Sequence, residues 1–581
     1  MSRRLVTAAL LGGLLGGLVG CPAPPPPDQP VVPPGDGPVA VPAPGPRDEE
    51  GPAASDFATY REDLVDRWLV LTPRWGRQMG LHDFDAKLFD HSPAGRATYR
   101  DFLKEAQRQL RAFDGLSEDD ALDRAILLSR AELALFELDT WRIAEQNPRF
   151  YTELFDVASY VDFDYAPLEQ RFERLVDHEE AALKQTDQVL ASLDAVLSRP
   201  VVETAIKIYR GYASYLRGDL LGIVKGVGSP ELQKRFALIN EALTRAADDI
   251  ADRLDKEWLP RADQKQHVLG EERYLAFIQA QEGQTVDLEA FRAMAEKDLA
   301  RNKAAYVALK GKVTMKRPAA SELLDAATAL MDDSRKFVSD HALVTIPSED
   351  RCKLKETPPY MQWNAAFLNM PGPFDRAKEA FYYITLPNPS WSKKEQVEYI
   401  FPYGVLSSTT VHEVYPGHFL HGLWIRAAKT RVQKMSESYS FTEGWAHYVE
   451  EMMIEEGWAE GKPERRLGQL SDALLRNCRF VASIAIHAGG ASLDDVAKRF
   501  QDDCFQDKAT AREQAVRGTF DPGYFAYTLG KLQIMELRES LKAELGERFS
   551  LQRFHDALMG YGAPPIALIR DRVAERMRQG R

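Results

Sequence analysis

The segment Ser407–Gly422, SSTTVHEVYPGHFLHG, sets His412, Glu413 and His418 within one seven-residue run. Imidazoles are the commonest metal ligands, and a carboxylate beside a metal can take the proton of a reacting water. A zinc-peptidase helix spaces its histidines at i and i+4, on one face, with a glutamate aimed at the same water. Here the second histidine comes two residues late, and Pro416 and Gly417 stand in its place. An ideal helix turns about 600° over six residues, which would leave the two imidazoles on different sides. Proline inside a helix lacks its N–H and clashes with the carbonyl four residues back, that of His412. Glycine accepts backbone conformations closed to other residues. The expectation is a kink, bulge or helix break after Tyr415 that swings His418 back beside His412, an irregularity frequent at functional sites.

A catalytic zinc takes three protein ligands and keeps one position open. Of 11 histidines, His412, His418, His421 and His447 fall close together, where even spacing would place fewer than one. The next helical segment, ESYSFTEGWAHYVEEMM (Glu437–Met453), has Thr442 as its expected cap. Glu443, His447 and Glu450 then lie at i, i+4 and i+7 on one face. Glu443 is the expected third ligand and His447 its rival. The plainer reading is a solvated amphipathic helix with Trp445, Tyr448 and Met452 packed inward. A second His-Glu pair, His178-Glu179, has no nearby histidine and reads as an exposed helix start.

The elements that must hold these residues are overwhelmingly helical from Ser55 onward. Ser229-Pro230-Glu231 supplies a cap, a first-turn proline and an acidic residue at the positive helix end. Leu232, Phe236, Ile239, Leu243, Ile250 and Leu254 follow at helical spacing. Leu64, Trp68 and Leu71 do so before Pro73, and Leu190, Leu193 and Leu197 mark a further amphipathic helix. Strand signals are few: Leu343–Pro347 and Phe381–Pro387, both ended by proline. No repeat of fixed period is present. The fold class expected is mainly α, a two-lobed body with a small β-sheet beside the active-site helix. An N-terminal helical lobe would span 55–330 and a C-terminal catalytic lobe 331–581.

At 581 residues the chain exceeds one ordinary core. Hydrophobic residues make up 44 % and charged residues 28 %, with a formal charge of −13, which gives no electrostatic footprint for nucleic acid or anionic lipid. Arg3 and Arg4 precede an apolar, glycine-rich run too short for a comfortable membrane span, ending Leu18-Val19-Gly20-Cys21. Residues 1–20 read as an export signal, and the last four resemble a bacterial lipobox in which Cys21 is lipidated. Residues 21–54 are proline-dense and favour extended polyproline II; at about 3.1 Å per residue they form a stalk reaching roughly 100 Å. The other cysteines are Cys352, Cys478 and Cys504, with Cys478–Cys504 the favoured pair in an oxidising compartment. Pro22 after the lipid cysteine tilts the expected location toward the outer membrane or cell surface rather than the inner membrane.

These segments resemble a large bacterial family catalogued as a domain of unknown function (family eight-eight-five) and regarded as gluzincin-like zinc metallopeptidases. Its hallmark, His-Glu-x-x-Pro-Gly-His, is met by His412 through His418, its Glu-Gly-Trp-Ala by Glu443 through Ala446, and its later acidic residue by Glu450. The resemblance runs from about Asp56 to about residue 575, and includes LTPRWGRQMGLHDFD, Leu71–Asp85. LLRNCRFVASIAIHAGG (Leu474–Gly490) and DPGYFAYTLGKLQIMELRE (Asp521–Glu539) resemble two further family stretches. By that analogy His487 and Tyr527 would donate to the oxyanion of a tetrahedral intermediate. Arg476 and Arg479 would clamp a substrate carboxylate or simply cover a helix face. Two departures stand out: Ser483 replaces an aspartate that would orient His487, and His447 replaces an aliphatic residue.

The function expected is that of a lipid-anchored zinc metallopeptidase with one Zn2+ per chain, held by His412, His418 and Glu443. Glu413 would be general base and then proton donor, and His487 or Tyr527 would stabilise the oxyanion. Short peptides are the expected substrates, lying beside the sheet at Tyr383 in the Phe381–Pro387 strand. The membrane is met through the lipid only, with no nucleic acid and no obligate protein partner. The competing classes are a metal-containing binding lipoprotein, whose structural zinc His447 or His421 would close with a fourth ligand, and a hydrolase of non-peptide amides.

Overall fold

The structure is a computed structural model that describes residues 56–580 apart from 163, 359, 360 and 363. The export signal, Cys21 and the proline-rich stalk lie outside the described residues. The structure is 70 % helical, with one three-stranded sheet among the described residues.

The first helix, α1, is Phe57–Leu71, with Leu64 and Trp68 buried; it ends where Pro73 opens the next. His178 and Glu179, expected at an exposed helix start, are instead fully buried inside α2, Leu168–Leu183. His178 has both ring nitrogens engaged, with Tyr160 Oη at 3.1 Å and the Glu153 carbonyl at 3.1 Å, so burial is satisfied rather than avoided. The helix expected through Leu190, Leu193 and Leu197 stops at Ala191; Leu197 reaches the core from beyond its end. Ser229 caps α3, Pro230–Arg253, by accepting from the Leu232 N–H.

Leu343–Pro347 forms no strand. Its backbone finds side chains instead: the Asp556 carboxylate accepts from the Thr345 N–H (2.9 Å) and hydroxyl (2.6 Å). The sheet is β1 (Cys352–Glu356), β2 (Ala366–Asn369) and β3 (Ala380–Ile384), in the order β1-β3-β2. β3 runs parallel to β1 and antiparallel to β2, and all five of its residues are buried. The strand expected at Phe381–Pro387 is therefore the central one, with both edges taken, and a substrate cannot pair with it.

The expected boundary near residue 330 falls inside the helix Leu323–Asp340. The cores do not respect it either. One apolar cluster, Ala144–Trp258, is a separate N-terminal unit, whereas the main core joins Phe57–Leu138 to Leu323–Met577. A third joins Phe136–Leu299 to Leu474–Leu529. Cys478 and Cys504 form a disulfide, and Cys352 is free and buried.

Candidate metal centre

The helix α4, Tyr403–Glu413, stops one residue after His412, and α5, His418–Ala427, starts afresh at His418. Between them the Tyr415–Pro416 peptide is cis. The break is pinned by backbone and side chain: Gly417 N–H donates to Val411 O (3.0 Å), and Trp445 Nε1 donates to Pro416 O (2.8 Å). Gly417 has φ −74°, so it is not needed for left-handed freedom. It is needed for room, because a Cβ there would collide with the His412 carbonyl.

Opposite this corner runs α6, Tyr439–Glu455, capped by Ser438, whose hydroxyl accepts from Phe441 N–H, and not by Thr442 as expected. Glu443, on its second turn, faces the two histidines. His412 Nε2 and His418 Nε2 lie 3.4 and 3.5 Å from Glu443 Oε2, and their rings sit 4.6 Å apart at 82°. One donor atom from each of the three residues falls within 4.8 Å of the others.

The tautomer of His412 is fixed from behind. Its Nδ1 lies 2.7 Å from Glu450 Oε1, which also takes Arg476 Nη2 at 3.1 Å. Burial works against the Glu450 carboxylate, yet Arg476 and His412 hold its pKa far below the usual range. A carboxylate only accepts, so Glu450 keeps a proton on His412 Nδ1 and leaves Nε2 as the atom turned toward Glu443, open to a proton or a metal ion. Arg476 stands on α7, Pro463–His487. The spacing placed Glu450 on the same face as Glu443 but assigned it no role; its signal was that i+7 register.

Glu443 in turn is set by a close crossing of α6 with α8, Ala526–Leu545. A Cβ on Gly444 would lie 2.5 Å from the Gly530 Cα, and one on Gly530 would collide with the Ser440 carbonyl. The Glu-Gly and Tyr-x-x-Gly segments of the sequence are thus two sides of one contact, with Tyr527 one turn before Gly530. Glu413, next to His412, accepts at Oε2 from the Leu368 N–H of the edge strand β2 (2.9 Å).

Other expected site residues lie elsewhere. His487 is buried; its Nε2 donates to Gly518 O (2.8 Å), and its ring faces Tyr274 and His267 at 6.1 and 6.2 Å, not the histidine pair. Ser483, where an aspartate would have oriented it, donates instead to Pro522 O (2.6 Å) and accepts from Tyr274. Arg476 is at the centre but spent on Glu450. Arg479 donates to Gln514 (2.9 Å) and covers Tyr527, 4.9 Å from its ring. Tyr383 lies within the sheet, against Phe367 and Phe381. The rival ligands are not part of the converging trio: His447 Nδ1 faces Glu450 Oε2 (3.4 Å), His421 Nε2 donates to Gly562 O (3.1 Å), and the other ring nitrogen of each is buried without a hydrogen-bond partner.

The three donors fit a zinc ion by their chemistry. Glu443 Oε2 is buried without a hydrogen-bond partner, a costly state for a carboxylate unless a cation meets it. Burial raises its pKa, but the paired imidazoles hold it well below the usual range. Burial and Arg476 push the His412 pKa down, while Glu443 and Glu450 push harder upward, to about 9. The same negative potential that draws a proton to this corner favours a divalent cation.

Fold and donor set together define a mainly α protein with a two-histidine, one-glutamate candidate metal centre. The chain belongs to the family described as "Bacterial protein of unknown function (DUF885)", whose model matches residues 73–573. Two solved structures share the fold. One, titled "The structure of a putative lipoprotein of unknown function from Shewanella oneidensis", is 21 % identical with TM-score 0.74 and covers 89 % of this chain and 99 % of its own. The other, "the putative lipoprotein from Colwellia psychrerythraea", is 17 % identical with TM-score 0.72, covering 90 % and 99 %. No curated protein matches the sequence.

Proposed function

We propose that this protein is a lipid-anchored zinc metallopeptidase of the cell envelope that hydrolyses short peptides. The observation that carries the reading is the trio itself: two imidazole nitrogens and one unpartnered carboxylate oxygen converging at a corner whose next residue is a second glutamate. His412, His418 and Glu443 would hold the ion. When bound, zinc supplies a water of lowered pKa and polarises the carbonyl to be attacked. Glu413, fixed by the Leu368 N–H, takes the proton of the attacking water and later delivers it to the leaving nitrogen. Tyr527 is the oxyanion donor retained from the sequence reading; His487 is not, since its Nε2 is spent on Gly518. The edge strand β2, rather than β3, is the place for an extended substrate backbone.

A structural metal would want a fourth protein ligand. Among the described residues the group of converging donor atoms is His412, His418 and Glu443, without His447 or His421, which favours an open position and catalysis. For the location, the support is that the two neighbours are titled lipoproteins and that no described helix is long and apolar enough to cross a membrane. The outer membrane or cell surface remains the placement favoured by Pro22.

The test is a peptide-library cleavage assay with Glu413→Gln beside wild type. Wild type should cleave; the variant should keep its zinc and lose about 100-fold or more of the rate. Equal inertness of both, with zinc bound, refutes the reading. Full zinc occupancy in both His418→Ala and Glu443→Ala would refute the ligand assignment.

A further inference from the structure

Beside the metal corner lies a group of guanidiniums with too few carboxylates. Arg479 on α7, Arg517 just before Thr519, and Arg149 from the N-terminal half gather around Tyr439, Tyr524, Tyr527 and Phe520. Arg479 lies over the rings of Tyr524 (5.2 Å) and Tyr527 (4.9 Å), Arg517 over Tyr524 (5.0 Å), and Arg149 over Phe520 (4.0 Å). One carboxylate answers them: Asp521 Oδ2, 3.4 Å from Arg517 Nη2 and 3.3 Å from Tyr439 Oη. Arg149 makes no side-chain hydrogen bond or ion pair among the described residues, although it is half-buried and burial pulls its pKa down to about 10. Among the described residues the hydrogen bond of Arg479 goes to the neutral Gln514.

Buried or half-buried cations are normally paired, because losing water costs the charged form several kcal/mol, on the order given by ion-transfer data. Arg149, stacked on an aromatic face with its edge uncommitted among the described residues, is placed for planar, bidentate capture of an anion, with Arg479 and Arg517 held beside it by Gln514 and Asp521. The tyrosines hold Arg517 in place: its Nη2 lies 3.4 Å from the Tyr439 and Tyr527 hydroxyl oxygens, which accept from it.

The location narrows the anion. Tyr527 separates the arginine group from the metal corner, and Arg476, 5.9 Å from its ring, is 3.2 Å from His412 Nδ1. Tyr439 stands one turn before the ligand Glu443 on α6. The two groups are thus close in space, linked by the packed side chains His412, Arg476, Tyr527 and then Arg479 or Arg517, each in contact with the next. Extended peptide advances about 3.4 Å per residue, so a chain whose scissile bond meets the trio would bring its C-terminus to this group within a few residues.

Resting on the peptidase reading for the position of the cleft, we infer that Arg149, Arg479 and Arg517 receive the C-terminal carboxylate of a short peptide, making the protein an enzyme that cuts near free C-termini. The N-terminal half then supplies part of the specificity through Arg149.

Binding tests this apart from turnover. Full-length Glu413→Gln protein is incubated with a pool of acetylated tetrapeptides made with free C-terminal carboxylates, and separately with the same pool as C-terminal amides. The acid pool should bind about tenfold or more tightly than the amide pool. In Arg479→Gln and Arg149→Gln, each added to that protein and checked by thermal melting, the gap should shrink to within about threefold, on the loss of a charge-assisted contact. The two sites of substitution are independent, so misfolding of one variant leaves the other as the readout. Equal binding of the two pools, binding of neither, a gap that survives both substitutions, or a gap reproduced by amides carrying an internal glutamate overturns the inference. A gap with no wild-type cleavage of either pool would leave the carboxylate site standing and refute the peptidase.

Discussion

Replacing Glu450 by glutamine isolates what the carboxylate behind His412 contributes. Every group facing Glu450 is a donor: His412 Nδ1 at 2.7 Å, Arg476 Nη2 at 3.1 Å, Ser408 Oγ at 3.4 Å and His447 Nδ1 at 3.4 Å. A glutamine side chain keeps the shape but must place its NH2 against one of them. Either the amide stays unsatisfied, at about 1–3 kcal/mol, or His412 takes the other tautomer, with its proton on Nε2 and no lone pair for a metal. Outer-sphere partners of this kind are worth about 10- to 100-fold in metal affinity, roughly 1.4–2.7 kcal/mol. Competition against a chromophoric zinc chelator measures this directly, with Glu443→Ala as the loss-of-ligand reference and thermal melting as the fold control. Zinc affinity for Glu450→Gln within about twofold of wild type would refute the tautomer argument, since a 1.4 kcal/mol loss is already tenfold.

Gly444→Ala should lower stability by about 1–3 kcal/mol through overpacking at Gly530 and weaken zinc binding with it; denaturant midpoints and the same competition titration read both, and an unchanged zinc affinity would separate Glu443 from the crossing. Reducing the Cys478–Cys504 disulfide, which closes a separation of 26 residues, should cost about 3.5 kcal/mol on the chain-entropy scale, seen as a lower thermal midpoint in reductant. Acid should weaken the fold through the buried network in which Lys531 sits 2.7 Å from Asp298 and 3.3 Å from Glu451. Burial raises the Glu451 pKa, but Lys531 and Arg301 win and hold it at about 2. A depressed carboxylate stabilises the fold above its unfolded pKa, so urea midpoints should fall from about pH 4.5 down through 2, and less steeply in Glu451→Gln.

The corner at His412 was legible because its chemistry is local. Proline and glycine at fixed places in a helix announce a break, and the break decides where His418 goes. Glycine at 417 was expected for its conformational freedom, yet it serves close approach, which only the folded neighbour reveals. Glu443 faces the histidine pair as its spacing suggested, because helical register carries a side chain to a predictable face. Tautomer control by Glu450 was not legible, since it depends on Arg476 arriving from another helix. His487 misled for a related reason: analogy placed it by motif, while Gly518 and Tyr274 place it by hydrogen bond and packing. The strand expected at Leu343–Pro347 had the right residues and no partner strand, and Asp556 took that partner's place. The lobe boundary escaped because the main core joins the first helix to the last third of the chain.

The glycine crossing of α6 and α8 acts as a gauge block. Most helix contacts are met by side chains, which absorb small errors by changing rotamer. At Gly444 and Gly530 two backbones touch, and no rotamer is available to take up slack. The spacing between Glu443 on one helix and Tyr527 on the other is therefore set by the stiffest parts the chain possesses.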